Sequence, residues 1–244
     1  MNNLVVTIMA GGVGKRMKSD LPKVLHKFKG TPMIVRILQE CMLLNVSKII
    51  IITGKFDELI RKTIKEYLNE EDYVKINFVI QKIPLGTGDA VKSTLDKYED
   101  NENVIILNGD MPLINKDIIR KFYNYSENNC ILVAELEDSK GYGRIVYEDN
   151  IFTKIKEEKD CNKEEKEIKI INSGLYKIKA IDLKKYIPKI KNDNKQEEYY
   201  LTDIIELLVK DNKNIETYKI NKNENKLIMG INSKEELLNL ENIL

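Results

Sequence analysis

The chain has 244 residues, of which 42% are hydrophobic, and its 40 Lys and Arg nearly balance its 39 Asp and Glu, leaving a net charge of +1. This length and apolar content suit one large α/β domain, and the charge balance argues against a nucleic-acid or anionic-membrane binder. No apolar run approaches the roughly 18–20 residues that span a bilayer. The N-terminus lacks a signal-peptide pattern, and the three cysteines lack metal-binding spacing, so a cytoplasmic location is expected.

Short apolar runs alternate with amphipathic segments through the first half of the chain. They predict, in chain order, strand 4–9, helix 32–45, strand 48–53, helix 57–68, strand 74–80, helix 87–98, strand 104–107, helix 116–125 and strand 131–136. This β–α repetition predicts a mostly parallel sheet with helices on both faces. Ligands of such sheets bind at the carboxyl ends of the strands. The glycine-rich loop after the first strand, Gln81 after the third and Asp110 after the fourth should therefore meet in one crevice.

The second half of the chain is less regular. It predicts strands over 143–148, 151–156, 168–178, 215–220 and 227–231, and a helix over 199–209. Ser233 and Glu236 have the spacing of a capping box at the start of a final helix. The charged stretch 156–169 has the composition of a solvated loop, although it also suits the border of a ligand pocket.

The loop Ala10–Met17 places glycines at Gly11, Gly12 and Gly14, directly after the first strand. This spacing is neither the P-loop nor the dinucleotide-binding pattern. Glycines let backbone N–H groups crowd around an anion, and Arg16 and Lys23 supply the cations that a polyphosphate needs. The loop therefore indicates a nucleotide site, with a plain tight turn as the alternative.

Two further strand ends carry candidate ligands. Asp110 follows a buried strand and a glycine, so its carboxylate suits either Mg²⁺ binding or capping of the next segment. Gln81 precedes a glycine pair at a strand-to-helix junction, and its amide offers the donor and acceptor that reading a uracil edge requires. Thr87 in the same segment also has the character of a helix N-cap, and the two interpretations are compatible.

Three segments of the second half combine glycines with polar groups. These are the turn 141–145, Glu157 in the charged stretch, and the segment 171–174 that contains Asn172. They are compatible with ordinary turns or with binding of sugar hydroxyls and an N-acetyl group. The single histidine, His26, lies outside any nucleophile motif, which argues against serine-hydrolase chemistry.

Taken in this order, the motifs resemble a specific family, the uridylyltransferase domain of bacterial bifunctional N-acetylglucosamine-1-phosphate uridylyltransferases. The resemblance runs from about residue 4 to residue 240 and rests on MAGGVGKRM (9–17), LPKVLH (21–26), PLGTGDA (84–90), GDMPLI (109–114), GYGRIV (141–146), NSG (172–174), EYYLTDI (198–204) and GIN (230–232). It implies a Rossmann-like, three-layer α/β/α nucleotidyltransferase fold of the GT-A type with a mixed, mostly parallel sheet.

The resemblance also implies which residues serve each part of the reaction. They are Ala10, Gly11, Gly12 and Gly14 for the ribose and phosphates; Arg16 and Lys23 for the triphosphate and its activation; Gln81, Gly86 and Thr87 for uracil; Asp110 and Asn232 for Mg²⁺; and Gly143, Glu157 and Asn172 for the sugar phosphate. Asn232 is a candidate only through the resemblance.

This chain departs from the family pattern at several positions. Asp89 stands where the family often has histidine, and Asn108 stands where some members carry an aromatic residue. The bifunctional proteins continue into a left-handed β-helix acetyltransferase domain that also makes them trimeric, and this sequence lacks it. We therefore expect one nucleotidyltransferase domain over 1–244, with a nucleotide half (1–136), a sugar-phosphate half (137–232) and a C-terminal helix (233–244).

The implied activity is formation of UDP-N-acetylglucosamine and pyrophosphate from UTP and N-acetylglucosamine-1-phosphate, with Mg²⁺ as cofactor. The expected partners are these small molecules, with neither nucleic acid nor membrane. The expected assembly is a monomer or small homo-oligomer. Three alternatives remain at this stage: a nucleotidyltransferase for another sugar-1-phosphate or base, a non-catalytic protein that binds nucleotide sugars, and a subunit that recruits a separate acetyltransferase chain.

Overall fold

The computed structural model describes residues 3–149 and 151–243. Its strands are β1 (Leu4–Met9), β2 (Lys27–Phe28), β3 (Thr31–Pro32), β4 (Lys48–Thr53), β5 (Ile76–Ile80), β6 (Asn103–Asn108), β7 (Asn129–Glu135), β8 (Arg144–Glu148), β9 (Ile151–Lys156), β10 (Ile170–Lys179) and β11 (Ile215–Lys219). Its α-helices are α1 (Met33–Met42), α2 (Asp57–Tyr67), α3 (Glu70–Tyr73), α4 (Thr87–Lys92), α5 (Lys116–Tyr125), α6 (Lys163–Lys166), α7 (Ala180–Tyr186), α8 (Asp203–Lys210) and α9 (Lys234–Ile243). None of these helices is long and apolar enough to cross a membrane.

The central sheet has the strand order β11-β7-β10-β6-β1-β4-β5. β6, β1, β4 and β5 pair in parallel, as do β7 and β11, while β10 runs antiparallel to both of its neighbours β6 and β7. The antiparallel pair β8–β9 extends the sheet from β10 through Arg144, which pairs with Ile171. The predicted mixed, mostly parallel sheet is thus confirmed.

Alternate residues of the central strands enter two separate hydrophobic clusters. Val6 and Ile8 of β1 pack in one cluster, with α1, α2 and α5. Val5 of the same strand packs in the other cluster, with α4, α7 and α8. Because successive side chains of a strand point to opposite faces, this division places helices on both sides of the sheet. It confirms the three-layer α/β/α arrangement.

The chain reverses its direction of travel across the sheet between β1 and β6. From β1 it adds β4 and β5 on one side, then crosses back to place β6 on the other side. Loops after two such strands diverge and leave a crevice at the carboxyl edge. Gly109 holds the two strand ends together, because its N–H donates to Met9 O at 2.9 Å and a Cβ there would lie only 3.0 Å from the same oxygen.

Two predicted elements differ from the structure because tertiary contacts override their local pattern. The strand predicted over 227–231 is wrong: a 3₁₀ helix, Lys222–Ile228, precedes an irregular segment. There Ile228 and Ile231 enter different hydrophobic clusters, and Ile231 N–H donates to Asp110 O at 2.9 Å instead of to a neighbouring strand. The helix predicted over 87–98 ends at Lys92 and is followed by a 3₁₀ turn, Leu95–Lys97.

Four other differences concern the second half. Helix α7 was not predicted. The charged stretch 156–169 contains the short helix α6, which begins with a capping box between Asn162 and Glu165. The helix predicted over 199–209 begins only at Asp203. At the start of α9, Ser233 Oγ accepts from Glu236 N–H at 3.1 Å as predicted, but the Glu236 carboxylate accepts from the preceding Asn232 N–H at 2.7 Å.

The buried side chain of Lys177 in β10 caps the C-terminal end of α5. Its ammonium donates to Tyr123 O at 2.9 Å and also to Ser126 O, and burial lowers its pKa. We expect Lys177→Met to keep the apolar stem but leave these carbonyls unpaired, reducing the free energy of unfolding by about 1–3 kcal/mol. Urea unfolding measures this, with the partly exposed neighbour Lys179→Met as control. An equal loss of unfolding free energy in the two variants would contradict this role of Lys177.

Candidate active site

Two adjoining cavities open at the carboxyl edge of the sheet, beside the β1–β6 crevice. The first, of about 300 Å³, is lined by Met9, Gly11, Gly12, Lys23, Val24, Ile52, Gln81, Pro84, Gly86, Thr87, Ala90, Asn108, Gly109, Asp110 and Glu198. The second, of about 230 Å³, is lined by Met9, Arg16, Thr87, Asn108, Asp110, Gly141, Tyr142, Gly143, Glu157, Asn172, Ser173, Gly174, Tyr176, Leu201, Thr202, Gly230 and Asn232. Of the sequence-predicted site residues, all but Ala10 and Gly14 line these cavities.

The glycine-rich loop leaves β1 under tight backbone constraints. Ala10 N–H donates to Ile52 O at 2.8 Å, so its carbonyl is the backbone group that remains for a ligand. Gly14 has a φ of +68°, and a Cβ there would lie 2.6 Å from the Lys23 Cβ. Only glycine lets the loop pack this closely on Lys23. Gly14 therefore contributes by positioning Lys23, and the roles predicted for Ala10 and Gly14 toward the nucleotide stay predictions.

Lys23, Asp110 and Asn232 form a charged cluster where the cavities meet. The Lys23 ammonium donates to Asp110 Oδ2 and to Asn232 Oδ1 at 3.0 Å. Two backbone contacts hold the acceptors in place, because Ile231 N–H donates to Asp110 O and Glu236 accepts from Asn232 N–H. Lys23, predicted for the triphosphate, thus also neutralises Asp110 and donates to Asn232, the two residues predicted to bind metal.

The predicted Mg²⁺ ligands fit that ion in their donor chemistry. Asp110 Oδ1 is buried and has no hydrogen-bond partner within residues 3–149 and 151–243. Together with Asn232 Oδ1 it offers the carboxylate and carbonyl oxygens that Mg²⁺ prefers, in the small number that Mg²⁺ takes when substrate phosphates complete its shell. Across that same part of the chain, no group of three or more His, Cys, Asp or Glu could hold a metal. The Mg²⁺ site therefore stays a prediction that the donors support.

The segment Leu85–Gly88 lies along the backbone of Tyr199–Leu201 at the wall of the first cavity. Tyr199 N–H donates to Leu85 O at 2.8 Å, and Gly88 N–H donates to Tyr199 O at 2.7 Å. Thr87 Oγ1 accepts from Leu201 N–H at 2.9 Å. The N-cap of α4 is Gly86, without a side-chain cap, so the interpretation of Thr87 as the N-cap is wrong. Its hydroxyl instead accepts a hydrogen bond from the facing loop.

Gly86 cannot carry a side chain in this arrangement. Its φ is +121°, and a Cβ would lie 2.5 Å from Tyr199 O and 2.8 Å from Tyr199 N. We expect Gly86→Ala to reduce the free energy of unfolding by about 2–4 kcal/mol, because backbone strain and overpacking add. Gly30→Ala is a matched control, since Gly30 also has a positive φ (+81°) but open space around its Cβ position. Thermal unfolding that shows the same loss in both would contradict the packing argument.

Glu157 and Asn172 meet Gly143 at the wall of the second cavity. Glu157 Oε1 accepts from the Thr202 hydroxyl at 3.0 Å, and burial raises the pKa of its carboxyl group. Asn172 N–H donates to Gly143 O at 2.8 Å. A Cβ at Gly143 would lie 2.9 Å from the Ile155 side chain and 3.6 Å from Glu157 Oε2. The three residues predicted for the sugar phosphate thus form one wall.

An ion pair between the buried Arg144 and Glu158 lies beside this wall. Arg144 is almost fully buried, and its guanidinium contacts Glu158 at 2.7 Å. Glu158 also accepts from Gly141 N–H at 3.1 Å. The ion pair therefore ties the turn before β8 to the residue next to Glu157.

Several cavity residues were not predicted from the sequence. Tyr142, Tyr176 and Thr202 line the second cavity, and Glu198 lines the first. Glu198 and Thr202 belong to the motif EYYLTDI, which was used for the resemblance without assigning them roles. The neighbouring Tyr200 is buried, at 5% exposure.

Comparison with known proteins agrees with this geometry. The sequence profile of the MobA-like NTP transferase domain matches residues 6–172. The chain belongs to this family. It is a nucleotidyltransferase, and the resemblance inferred from the motifs is confirmed.

The similar sequences extend along nearly the whole chain. An Acanthamoeba polyphaga mimivirus protein named "Probable UDP-N-acetylglucosamine pyrophosphorylase" is 42% identical over 249 residues, which cover 99% of this chain and 96% of that protein. "Bifunctional protein GlmU" of Nitratiruptor is 39% identical over 98% of this chain and 53% of its own length. The chain thus spans about half the length of the bifunctional bacterial relatives.

Solved structures of low sequence identity share the fold. A protein described as a glucose-1-phosphate thymidylyltransferase from Bacillus anthracis superposes with a TM-score of 0.73 at 19% identity, covering 98% of this chain and 94% of that chain. A UDP-glucose pyrophosphorylase gives the same TM-score and identity, covering 98% of this chain and 97% of its own. These similarities show the Rossmann-like nucleotidyltransferase fold alone.

Proposed function

We propose that this nucleotidyltransferase forms UDP-N-acetylglucosamine and pyrophosphate from UTP and N-acetylglucosamine-1-phosphate. The observation that carries the proposal is the pair of adjoining cavities with Asp110 on their shared wall. One cavity has the glycine loop and a base-reading amide, and the other has a buried carboxylate and amides suited to a sugar. The names of the viral and bacterial relatives point to the same substrates.

The first cavity suits a uridine nucleotide. Gly11 and Gly12 line it where the chain leaves β1, so backbone groups approach a ribose and phosphates without Cβ atoms in the way. Gln81 and Gly86 line the same cavity, where an amide group and backbone can meet a base edge. Lys23 lies between these groups and the second cavity, which places its positive charge toward the phosphates.

The second cavity suits the sugar phosphate. Glu157 and Asn172 present the oxygen and amide groups that bind sugar hydroxyls and an N-acetyl group, and Arg16 supplies positive charge to the same cavity. Residues 1–136 supply most of the nucleotide site, and residues 137–232 supply most of the sugar site. Just before α9, the chain lies next to Asp110 again, at Asn232.

The reaction in this site is an in-line displacement. An oxygen of the sugar phosphate attacks the α-phosphorus of UTP, the new P–O bond forms, and the bond to pyrophosphate breaks. The attacking phosphate is largely dianionic near pH 7, with a second pKa of about 6, so no general base is required. Catalysis then rests on holding the two substrates in line and on offsetting negative charge.

The cationic side chains of this chain offset that charge. Lys23 lines the first cavity and offsets charge that develops toward pyrophosphate. Arg16 lines the second cavity and offsets the charge of the attacking sugar phosphate. Asp110 and Asn232 would hold Mg²⁺, which would supply positive charge to neutralise phosphate oxygens.

Pyrophosphate release tests the proposal directly. The purified protein is assayed with each of the four NTPs against N-acetylglucosamine-1-phosphate, glucose-1-phosphate and galactose-1-phosphate, with and without Mg²⁺. We expect the highest kcat/KM for UTP with N-acetylglucosamine-1-phosphate, and loss of turnover with EDTA. A higher kcat/KM for another pair would assign another sugar-nucleotide reaction. Tight binding of UDP-N-acetylglucosamine without turnover would indicate a non-catalytic role.

A further inference from the structure

The side chain of Gln81 is held by two groups that can only accept hydrogen bonds. Its Nε2 donates to Gly86 O at 3.1 Å and to Asp89 Oδ2 at 2.8 Å. Its own backbone N–H donates to Thr53 O at 2.9 Å, which fixes the residue at the end of β5. A backbone carbonyl and an ionised carboxylate offer no hydrogen to donate. Both amide hydrogens of Gln81 are therefore used in hydrogen bonds within the protein.

This arrangement decides which way the amide is turned. Oxygen and nitrogen of a glutamine are assigned from their hydrogen-bond partners, and here the reverse orientation would set Gln81 Oε1 against Asp89 Oδ2 and Gly86 O. Three oxygens would then approach each other without a hydrogen between them. The group that Gln81 presents to the first cavity is consequently its carbonyl oxygen, a pure acceptor.

Asp89 holds the side chain of Gln81 by accepting a hydrogen bond from its amide. It lies in the first turn of α4 and lines a shallow surface recess with Lys92 and Ser93, on the other side of Gln81 from the first cavity. A carboxylate at this place holds the amide by charge as well as by hydrogen bonding, because charge-assisted hydrogen bonds are stronger than neutral ones.

An acceptor in this position discriminates among bases. Uracil, thymine and guanine carry an imino N–H on their pairing edge, which can donate to Gln81 Oε1. Cytosine and adenine present an unprotonated ring nitrogen there, whose lone pair would face the carbonyl oxygen. We propose that Asp89 is a positioning residue that fixes Gln81 with its carbonyl toward the base, and thereby sets the preference for UTP over CTP. This inference rests on the proposed function, specifically on Gln81 contacting the base.

Asp89→Asn tests the inference, because asparagine can donate as well as accept and so removes one of the two contacts that oppose the reverse orientation of Gln81. We expect the ratio of kcat/KM for UTP to that for CTP to fall at least about tenfold, the effect of roughly one exchanged hydrogen bond. Asp89→Ala, which removes the carboxylate, should shift the ratio in the same direction. The KM for the sugar phosphate should stay unchanged in both, since a general structural loss would raise it as well.

Asp96→Asn is the matched control. Asp96 lies in the next turn of the chain, its side chain is 68% exposed, and it pairs with Lys97. Its replacement should leave the UTP-to-CTP ratio as it is. Equilibrium binding of UTP and CTP to each variant, measured by calorimetry, gives the same ratio without turnover.

The outcomes separate this inference from the proposed function. If the unaltered protein prefers UTP but Asp89→Asn and Asp89→Ala keep the ratio within twofold, the inference is wrong and the proposed function stands. If the unaltered protein prefers dTTP or GTP and the variants lose that preference over CTP and ATP, the proposed substrate is wrong and the inference stands. Preference for CTP or ATP, or binding of none of these nucleotides, would overturn both.

Discussion

Asp110→Asn is expected to lower kcat about a hundredfold or more, the usual loss when a group that stabilises charge in the transition state is removed. Asp110 is only 7% exposed and lies on the shared wall of the two cavities. Its Oδ2 pairs with Lys23, while its buried Oδ1 lacks a partner within the described residues. An amide would supply neither the negative charge that pairs with Lys23 nor two equivalent oxygens for a cation.

The fold should survive this change, because asparagine has nearly the same shape and the Asp110 carbonyl keeps its hydrogen bond from Ile231 N–H. Pyrophosphate release at saturating substrates measures kcat, and thermal unfolding confirms folding. Titration with Mn²⁺ in the presence of UTP should show weaker cation binding. Asp117→Asn is the control, since that carboxylate is 64% exposed on α5. A kcat near that of the unaltered protein would show that Asp110 has no catalytic role.

Arg16→Ala is expected to lower kcat by a similar factor, about a hundredfold. The short 3₁₀ helix Lys15–Met17 holds Arg16 between two fixed points. On one side Gly14 O accepts from Met17 N–H at 2.8 Å, and on the other the Met17 side chain is fully buried with Phe28 and Met33. These contacts fix the backbone of Arg16, whose exposed side chain lines the second cavity.

Comparison with Arg16→Lys separates charge from geometry. Lysine keeps the positive charge but loses the planar, bidentate donors that fit a phosphate, so we expect it to restore only part of kcat. Arg120→Ala, on the exposed face of α5, serves as control and should leave kcat unchanged. Steady-state assays with both substrates varied would show the loss mainly in kcat. Full activity of Arg16→Ala would exclude a role in charge stabilisation.

Hydrophobic periodicity was sufficient to predict the layers of this fold. Runs such as Ile49–Ile52 are buried on both faces of a parallel sheet, and amphipathic segments such as α5 cover it, so the sequence pattern and the burial agree. The rule that ligands bind at the carboxyl ends of such strands brought Gln81 and Asp110 together correctly. Motif order then indicated the family, which the sequence comparisons confirmed.

Local pattern failed where distant segments supply the hydrogen bonds. Ile228 and Ile231 have the composition of a strand but pack in different clusters. Tyr199 and Leu201 have helical spacing, yet their backbone hydrogen bonds go to the segment Leu85–Thr87. The hydrogen-bond partners of Ile231, Tyr199 and Leu201 are more than 100 residues away in sequence, so no local signal marks them.

The sequence by itself predicted the layers of the fold and the crevice edge, because apolar periodicity and glycine positions act through local backbone geometry. Its ordered motifs indicated the family by resemblance. Only the tertiary structure decided how the polar side chains share their hydrogen bonds. It joined Lys23 to Asp110 and Asn232, and it turned the amide of Gln81 by means of Asp89. Such pairings depend on atoms brought within about 3 Å by packing, and residue spacing along the chain does not encode them.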